Sequence, residues 1–171
     1  ELDQAEALAK LGHKVTLGAV DCRYRKFHRK VGINYSQPNG IPSYMYIGFP
    51  HTLKATLPIW LELPFRYIRT RMMLHLFQFI CKKEGIPDVI YAHYINSMFS
   101  LKYIRRLYPQ IPIVGIEHWS IISSYQNLSK NFKERAIIAY NLLDRLLCVG
   151  EGLKQNMKKH FYVDADVVQR F

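Results

Sequence analysis

The chain has 171 residues, of which 49% are hydrophobic and 22% charged, a length and composition typical of a globular domain with a buried core. It carries 24 Lys and Arg against 13 Asp and Glu, a formal net charge of +11, which indicates either anionic partners (nucleic acid, lipid headgroups, phosphorylated small molecules) or a solvated basic surface. The sequence has no charge-free apolar run of about 18 residues, as a membrane span requires, and its three cysteines lack the spacing of a zinc site or disulfide framework, which favours a reducing, cytoplasmic setting.

The first predicted elements are a helix and a strand. Residues 2–11 are strong helix formers with a periodic apolar stripe, and Gly12 is suited to cap the helix. Residues 13–20 then predict a strand. Because a parallel α/β domain normally opens with a strand and a Gly-rich turn before such a helix, we expect that first strand to precede residue 1.

The next segment is strongly basic. Residues 21–41 predict irregular structure, and within them residues 22–30 hold five Lys or Arg and two aromatic side chains in nine positions. Contact with phosphate and a plain exposed loop both remain open for this segment. The candidate substrate or headgroup contacts in it are Arg23, Arg25, Lys26 and Arg29.

Residues 41–49 predict a strand near a sheet edge because of Pro42. Residues 59–83 have helical periodicity, which Pro64 interrupts early. Packing of this helix across a sheet is the preferred interpretation. A membrane-surface helix is the alternative, because three arginines lie largely off the apolar stripe.

The centre of the chain predicts two strands that end in polar side chains. Residues 89–93 predict a short buried strand ending in His93, and residues 95–107 predict a helix. Residues 111–116 are almost wholly apolar, which predicts a strand buried on both faces. Ligands in open α/β sheets bind beyond the carboxyl ends of the strands. The side chains that follow this central strand are Glu117, His118 and Trp119.

The last third continues the alternation. A helix over residues 129–143 has Ser129 as its N-cap, a strand follows at 144–150, then a helix at 153–161 and a final strand from 163. This order predicts an α/β fold with a doubly wound, mostly parallel, Rossmann-like sheet.

Four segments, in order, resemble retaining glycosyltransferases of family 4, which have the GT-B fold. Residues 3–17 resemble the first helix and second strand of that family, and Pro87-Asp-Val-Ile-Tyr-Ala-His93 resembles its "PDVIHAH" strand. Ile113-Val-Gly-Ile-Glu-His118 resembles "(V)xTEH", and residues 144–153 resemble "ADxVIAVSExL". The resemblance covers nearly the whole chain. It departs from the family at Gly150, which replaces the serine, and at Tyr91, which we expect to point into packing.

The resemblance implies that residues 1–171 are one N-terminal, acceptor-side domain, trimmed at both ends, and that donor binding belongs mostly to a C-terminal domain outside this chain. The parent enzyme would transfer a hexose from a nucleotide-sugar to a glycan or lipid-linked acceptor with retention, using no metal or further cofactor. The chain alone is expected to be inactive. We expect a cytoplasmic protein with peripheral contact at the inner membrane face and no nucleic-acid partner.

The alternative function is a non-catalytic basic module that docks an anionic membrane surface or another phosphate-rich partner. Charge alone does not separate this module from an enzyme that works on lipid-linked acceptors.

His118 is the candidate catalytic residue, because the resemblance places the family's histidine near the donor sugar and its phosphate. A strand-end histidine bonded to a loop is the alternative. Glu117 would either orient His118 or bind an acceptor hydroxyl. His93 could contact acceptor or cap the structure, and Tyr94 and Trp119 could stack on a sugar ring or pack in the core. Glu151 is a donor-side candidate, although a helix-dipole role is the preferred interpretation.

Overall fold

The computed structural model of the protein describes residues 2–21, 30–48, 59–118, 126 and 128–168, without the side chains of residues 59–63. The chain divides into two units, residues 1–86 and 87–171. In the ranges given above, unit 1 contains a three-stranded sheet and unit 2 a four-stranded sheet. Of the helices in these described ranges, none combines the length and the apolar character needed to cross a bilayer.

Unit 1 is built around a mixed sheet. Its elements are helix α1 (Leu2–Lys10), strands β1 (Leu17–Asp21), β2 (Gly32–Ser36) and β3 (Ser43–Ile47), a 3₁₀ turn at Pro38–Gly40, and helix α2 (Ile59–Glu84). The strand order is β1-β3-β2, and β3 pairs parallel with β1 but antiparallel with β2.

Strand β2 corrects one prediction, because residues 21–41 were expected to be irregular throughout. Asn34 and Ser36 interrupt any apolar pattern, so the strand exists through its pairing with β3 rather than through its own sequence. The turn between the two strands needs left-handed backbone, which Asn39 (φ 51°) and Gly40 (φ 80°) supply.

Helix α2 packs on the sheet of unit 1, against β1 and β3, as its apolar stripe predicts. The helix continues through Pro64 rather than being interrupted there. Its carboxyl end is tied to the sheet by Glu84, which accepts a 2.6 Å hydrogen bond from the Tyr44 hydroxyl and pairs with Lys14 at 3.3 Å. These bonds lower the pKa of Glu84, and the bond to Glu84 is the main cause that raises the pKa of Tyr44 to about 12.

The described part of unit 2 holds a four-stranded sheet in which every pair is parallel, in the order β4-β5-β6-β7. The strands are β4 (Ile90–His93), β5 (Ile113–Glu117), β6 (Arg145–Cys148) and β7 (Asp166–Val167), and the helices are α3 (Tyr94–Met98), α4 (Leu101–Leu107), α5 (Lys130–Tyr140) and α6 (Glu151–Phe161). The predicted fold class, an α/β fold on mostly parallel strands, is confirmed. So is the N-cap of α5, where the Ser129 hydroxyl accepts from Phe132 N at 3.3 Å.

The helix predicted over residues 95–107 is instead two helices, α3 and α4, separated at Phe99 and Ser100. The Ser97 hydroxyl donates to the carbonyl oxygens of His93 and Tyr94. Such local bonds compete with regular helix formation. Ser97 therefore weakens the helix continuity that the apolar pattern alone suggests.

Within the described residues, β1 and β4 each pair along one edge only. The strand expected before residue 1, and the single domain expected for residues 1–171, stay predictions.

Gly115 lets the central strand β5 lie close to its covering side chains. A Cβ at this position would lie 2.5 Å from Leu143 Cδ1 and 2.9 Å from Met98 Cε, and the neighbouring Ile113 and Ile116 are almost fully buried. Such a core has no room for an added methyl group unless neighbours move.

We expect Gly115→Ala to lower the free energy of unfolding by about 1–3 kcal/mol, because overpacking forces the flexible ends of two side chains aside. Gly152→Ala is the matched control: it lies in α6 with no atom within 4 Å of an added Cβ, so it should be neutral or stabilising by up to about 0.5 kcal/mol. Urea unfolding of both variants measures the difference. Equal stabilities would contradict this packing.

Asp144 joins the start of β5 to the end of α4. Its Oδ2 accepts from the backbone N–H of Ile113 at 2.7 Å and from the Arg105 guanidinium. Arg105 also donates to the carbonyl oxygens of Leu142 and Ile111 at 3.0 and 3.1 Å. The hydrogen bond from Arg105, followed by the one from the Ile113 amide, lowers the pKa of Asp144 below its ordinary value.

Because the pKa of Asp144 is lower in the folded state, its contribution to stability is present above the unfolded pKa and is lost as the pH falls through the folded one. We expect Asp144→Asn to cost about 1 kcal/mol at pH 7, because solvent screens a carboxylate that is 52% exposed. This penalty should shrink as the pH drops below about 4. Urea unfolding at several pH values tests this. Asp164→Asn, at a carboxylate that is 84% exposed, is the control, and a penalty for Asp144→Asn that does not change with pH would contradict the expectation.

Candidate active site at the carboxyl ends of strands β4 and β5

Three of the predicted site residues meet at one edge of the sheet in unit 2. Strands β4 and β5 run parallel with His93 opposite Ile116, so both strands end at the same edge. The Tyr94 and His118 rings are stacked with centroids 3.8 Å apart and planes tilted by 34°, and the His93 ring lies 5.9 Å from that of His118. All three side chains are half-buried.

A fourth ring, that of Tyr91, joins them. Its centroid lies 4.9 Å from that of His93 at nearly a right angle, because alternate residues of a strand share one face. Tyr91 is 36% exposed, so the expectation that it points into packing is wrong, although partial burial still raises the pKa of its hydroxyl. We call these four side chains the rim cluster: Tyr91, His93, Tyr94 and His118.

Tyr94 has a backbone conformation that is rare for a side chain of this size. Its φ is 61°, in the left-handed region that costs a non-glycine residue roughly 1–2 kcal/mol. This conformation lies where β4 passes into α3 and brings the Tyr94 ring onto His118. Strained residues of this kind persist where surrounding contacts hold them, and they cluster at functional sites.

The strain at Tyr94 can be measured with two substitutions that both remove the ring. We expect Tyr94→Gly to be more stable than Tyr94→Ala by about 1 kcal/mol, because glycine adopts positive φ without steric cost. Urea unfolding gives the difference directly. An alanine variant as stable as the glycine variant would contradict the left-handed conformation.

Glu117 is fully buried at the end of β5. Its Oε2 accepts from the backbone N–H of Ile95 at 2.9 Å and from the Tyr140 hydroxyl at 3.0 Å, and its Oε1 accepts from the backbone N–H of His118 at 3.1 Å. Burial is the first cause that raises the pKa of Tyr140, followed by the negative charge of Glu117 and the hydrogen bond. Both predicted roles of Glu117 stay predictions, but a carboxylate without exposed surface favours orientation over acceptor binding.

Sequence reasoning missed Tyr140 as a residue of the site, although the helix predicted over residues 129–143 contains it. The signal was available, because a buried tyrosine hydroxyl needs a hydrogen-bond partner and a buried carboxylate needs donors. What the sequence lacks is any indication that these two residues, 23 positions apart, would meet.

Other predicted site residues lie elsewhere. Glu151 is an exposed residue in the first turn of α6. The helix dipole stabilises a negative charge at this position. A groove of about 370 Å³ lies beside Asp144 and Asp166, at the amino-terminal ends of β6 and β7. The rim cluster lies at the carboxyl ends of the strands, so this groove is at the opposite end of the sheet. The predictions for Trp119, Arg23, Arg25, Lys26 and Arg29 fall outside the described residues.

Within the described ranges, no group of three or more His, Cys, Asp or Glu side chains is placed to hold a metal ion. A model of Glycosyltransferase Family 4 matches residues 2–170 of the chain. The chain belongs to this family. The match confirms the resemblance to the N-terminal domain of a family-4-type GT-B glycosyltransferase, and no curated protein matches the chain.

Membership of glycosyltransferase family 4 gives the rim cluster a chemical context. In this glycosyltransferase domain the cluster combines two imidazoles and two phenols, which can donate hydrogen bonds to hydroxyl and phosphate oxygens and stack on a sugar ring. The fold presents these groups at the edge of a parallel sheet where ligands of α/β proteins bind.

Proposed function

We propose that this family 4 domain is the acceptor-side half of a retaining hexosyltransferase, which moves a hexose from a nucleotide-sugar to a glycan or lipid-linked acceptor. The supporting observation is the half-buried His118 imidazole, stacked on Tyr94 at the carboxyl ends of two parallel strands. A second domain outside residues 1–171 supplies most of the donor site, so the chain alone is inactive.

In the proposed reaction the bond between the anomeric carbon and the diphosphate breaks, and the acceptor oxygen bonds to the anomeric carbon on the same face of the sugar. The proton of the acceptor hydroxyl passes to the leaving diphosphate. Positive charge develops on the sugar while the leaving diphosphate gains negative charge. His118 holds the transferring sugar through a fixed hydrogen bond, which is worth most when the donor is oriented in advance. His93, on the neighbouring strand, contacts the acceptor. The proposal needs no metal or further cofactor.

Product analysis with the full-length protein tests this function. The protein is incubated in turn with UDP-glucose, UDP-N-acetylglucosamine and GDP-mannose, together with membrane lipid extract as the acceptor source. NMR of the product gives the anomeric configuration of the new bond. The expected result is transfer from one donor with the α-configuration of that donor retained. A product of inverted configuration, or no transfer from any of the donors, would contradict the proposal.

Membrane docking is a second function, favoured by one feature of unit 1. In the first half of α2, Tyr67 and Ile68 are 57% and 47% exposed, and Arg69 and Arg71 beside them are also exposed. Exposed apolar side chains flanked by cations suit an anionic lipid surface. This function is compatible with a cytoplasmic transferase that acts on lipid-linked acceptors at the inner membrane face.

Vesicle sedimentation tests the docking. Phosphatidylcholine vesicles with and without phosphatidylglycerol are compared for the wild type and for the Arg69→Gln/Arg71→Gln variant. The Lys82→Gln/Lys83→Gln variant removes the same charge from the other end of α2, where both lysines are exposed. Docking through the first half of α2 predicts that the arginine pair weakens binding to anionic vesicles more than the lysine pair does. Equal losses would contradict it.

A further inference from the structure

The carboxylate of Glu117 joins three elements of unit 2. It lies at the end of β5, and its partners are Ile95 in α3 and Tyr140, the last residue of α5. The partner groups are an amide N–H and a phenol O–H, both of which are donors that a carboxylate can accept from. Glu117 and Tyr140 are 0% and 3% exposed, so these bonds form away from solvent.

The hydrogen bond between the Ile95 amide and Glu117 also constrains the backbone of Tyr94, the residue before Ile95. The orientation of the Ile95 N–H is set by the peptide plane that links Tyr94 to Ile95, and this plane follows from the backbone angles of Tyr94. Anchoring that N–H to Glu117 at 2.9 Å therefore holds Tyr94 in its left-handed conformation, which its own sterics disfavour. Tyr94 in turn stacks on His118 at 3.8 Å.

The same carboxylate also acts on the other ring of the stack. Its Oε1 accepts from the backbone N–H of His118 at 3.1 Å, which fixes the direction in which the chain leaves β5. One buried side chain thus constrains the backbone of both stacked residues. The Tyr140 hydroxyl holds Oε2 of this side chain at 3.0 Å, so α5 contributes to the arrangement.

We infer that Glu117 and Tyr140 are positioning residues of the transfer reaction: they set the orientation of the His118 imidazole through Tyr94 and do not touch substrate. This inference rests on the proposed function, in which His118 holds the transferring sugar. It replaces the alternative in which Glu117 binds an acceptor hydroxyl. Buried side chains that hydrogen-bond to the residues around a reacting group, rather than to the substrate, typically fix the orientation of that group.

The test uses two conservative variants, each with a matched control in unit 2. Tyr140→Phe removes one hydroxyl, and Tyr162→Phe removes a hydroxyl from a residue that is 81% exposed. Glu117→Gln is compared with Glu134→Gln, at a side chain on α5 that is 62% exposed. The full-length protein, labelled with ¹³C and ¹⁵N in its histidine rings, serves for both readouts, which are the ring resonances of His118 and the steady-state kcat and KM.

Both site variants should move the His118 ring protons downfield, towards their position in Tyr94→Leu, because the stack that shields them is loosened. The value of kcat should fall by about tenfold or more while KM changes little, at temperatures where circular dichroism shows the variants folded. The two control variants should change neither readout. If Glu117→Gln does not fold, Tyr140→Phe decides the result, since it keeps the ring that fills the core.

A lower melting temperature with unchanged His118 resonances and unchanged kcat would overturn the inference and leave Glu117 with a purely structural role. Parallel measurement of His118→Ala separates this failure from failure of the proposed function. If His118→Ala loses turnover while Tyr140→Phe and Glu117→Gln keep it, only the inference fails. If His118→Ala keeps turnover, the proposed function fails, and the inference fails with it.

Discussion

Replacing His118 by alanine in the full-length enzyme is expected to lower kcat by about 10²-fold, the loss typical of removing one oriented hydrogen-bond donor from a transition state that develops charge. The imidazole lies at the carboxyl end of β5, half-buried and stacked on Tyr94, so its direction is fixed before substrate binds. The affinity for the nucleotide-sugar should change less than kcat, because in the proposed function a second domain binds most of the donor. Initial rates at saturating donor measure the effect.

His13→Ala is the control for this substitution, because His13 is an exposed residue between α1 and β1 in unit 1. It should leave kcat within about twofold of the wild type, as expected for a surface change away from the site. A His118→Ala enzyme whose kcat also stays within this range would remove His118 from the mechanism.

Replacing Glu117 by alanine is expected to have the largest effect on stability, a loss of about 3–5 kcal/mol in the free energy of unfolding. The substitution leaves the Ile95 amide and the Tyr140 hydroxyl buried without this acceptor, and each lost acceptor costs about 1–3 kcal/mol. It also opens a cavity. Because the left-handed Tyr94 loses its anchor as well, the rim cluster should disorder before the sheet does. Urea unfolding gives the loss, with Glu134→Ala on the exposed side of α5 expected within about 0.5 kcal/mol of the wild type.

A double-mutant cycle separates the Glu117–Tyr140 bond from the other effects of this substitution. Tyr140→Phe alone should cost about 1–3 kcal/mol, since it deprives a buried carboxylate of one donor. In the Glu117→Ala background Tyr140→Phe should cost much less, because the Tyr140 hydroxyl has already lost Glu117 as its acceptor. The difference between the two costs of Tyr140→Phe is the interaction energy of the pair. Additive losses would show that the 3.0 Å contact contributes nothing to stability.

The central part of the site could be predicted from the sequence because simple patterns determine it. The apolar run at 111–116 is short and contains Pro112, which favours a buried strand over a helix, and the strand that ends at His93 has the same character. Two parallel strands place their carboxyl ends together, so the proximity of His93 and His118 follows from the order of elements. The position of Tyr91 on the face of His93 could have been predicted from strand alternation as well.

The remaining features depend on tertiary contacts that no local pattern encodes. Strand β2 is polar enough to look irregular and becomes a strand by pairing with β3. The positive φ of Tyr94 contradicts the intrinsic preference of tyrosine and is held by Glu117 from another strand. The hydrogen bond between Tyr140 and Glu117 connects an apolar helix face to a strand end, and neither segment alone indicates the other.

The most direct measurement is a titration of the histidine-labelled full-length protein with the nucleotide-sugar that supports transfer, followed by NMR of the histidine rings. If His118 holds the transferring sugar at the carboxyl ends of β4 and β5, its ring resonances should shift with ligand saturation, those of His93 should respond when acceptor is added, and those of His13 should stay in place. Saturation of a transferring enzyme with His118 resonances that do not move would contradict the assignment of the active site.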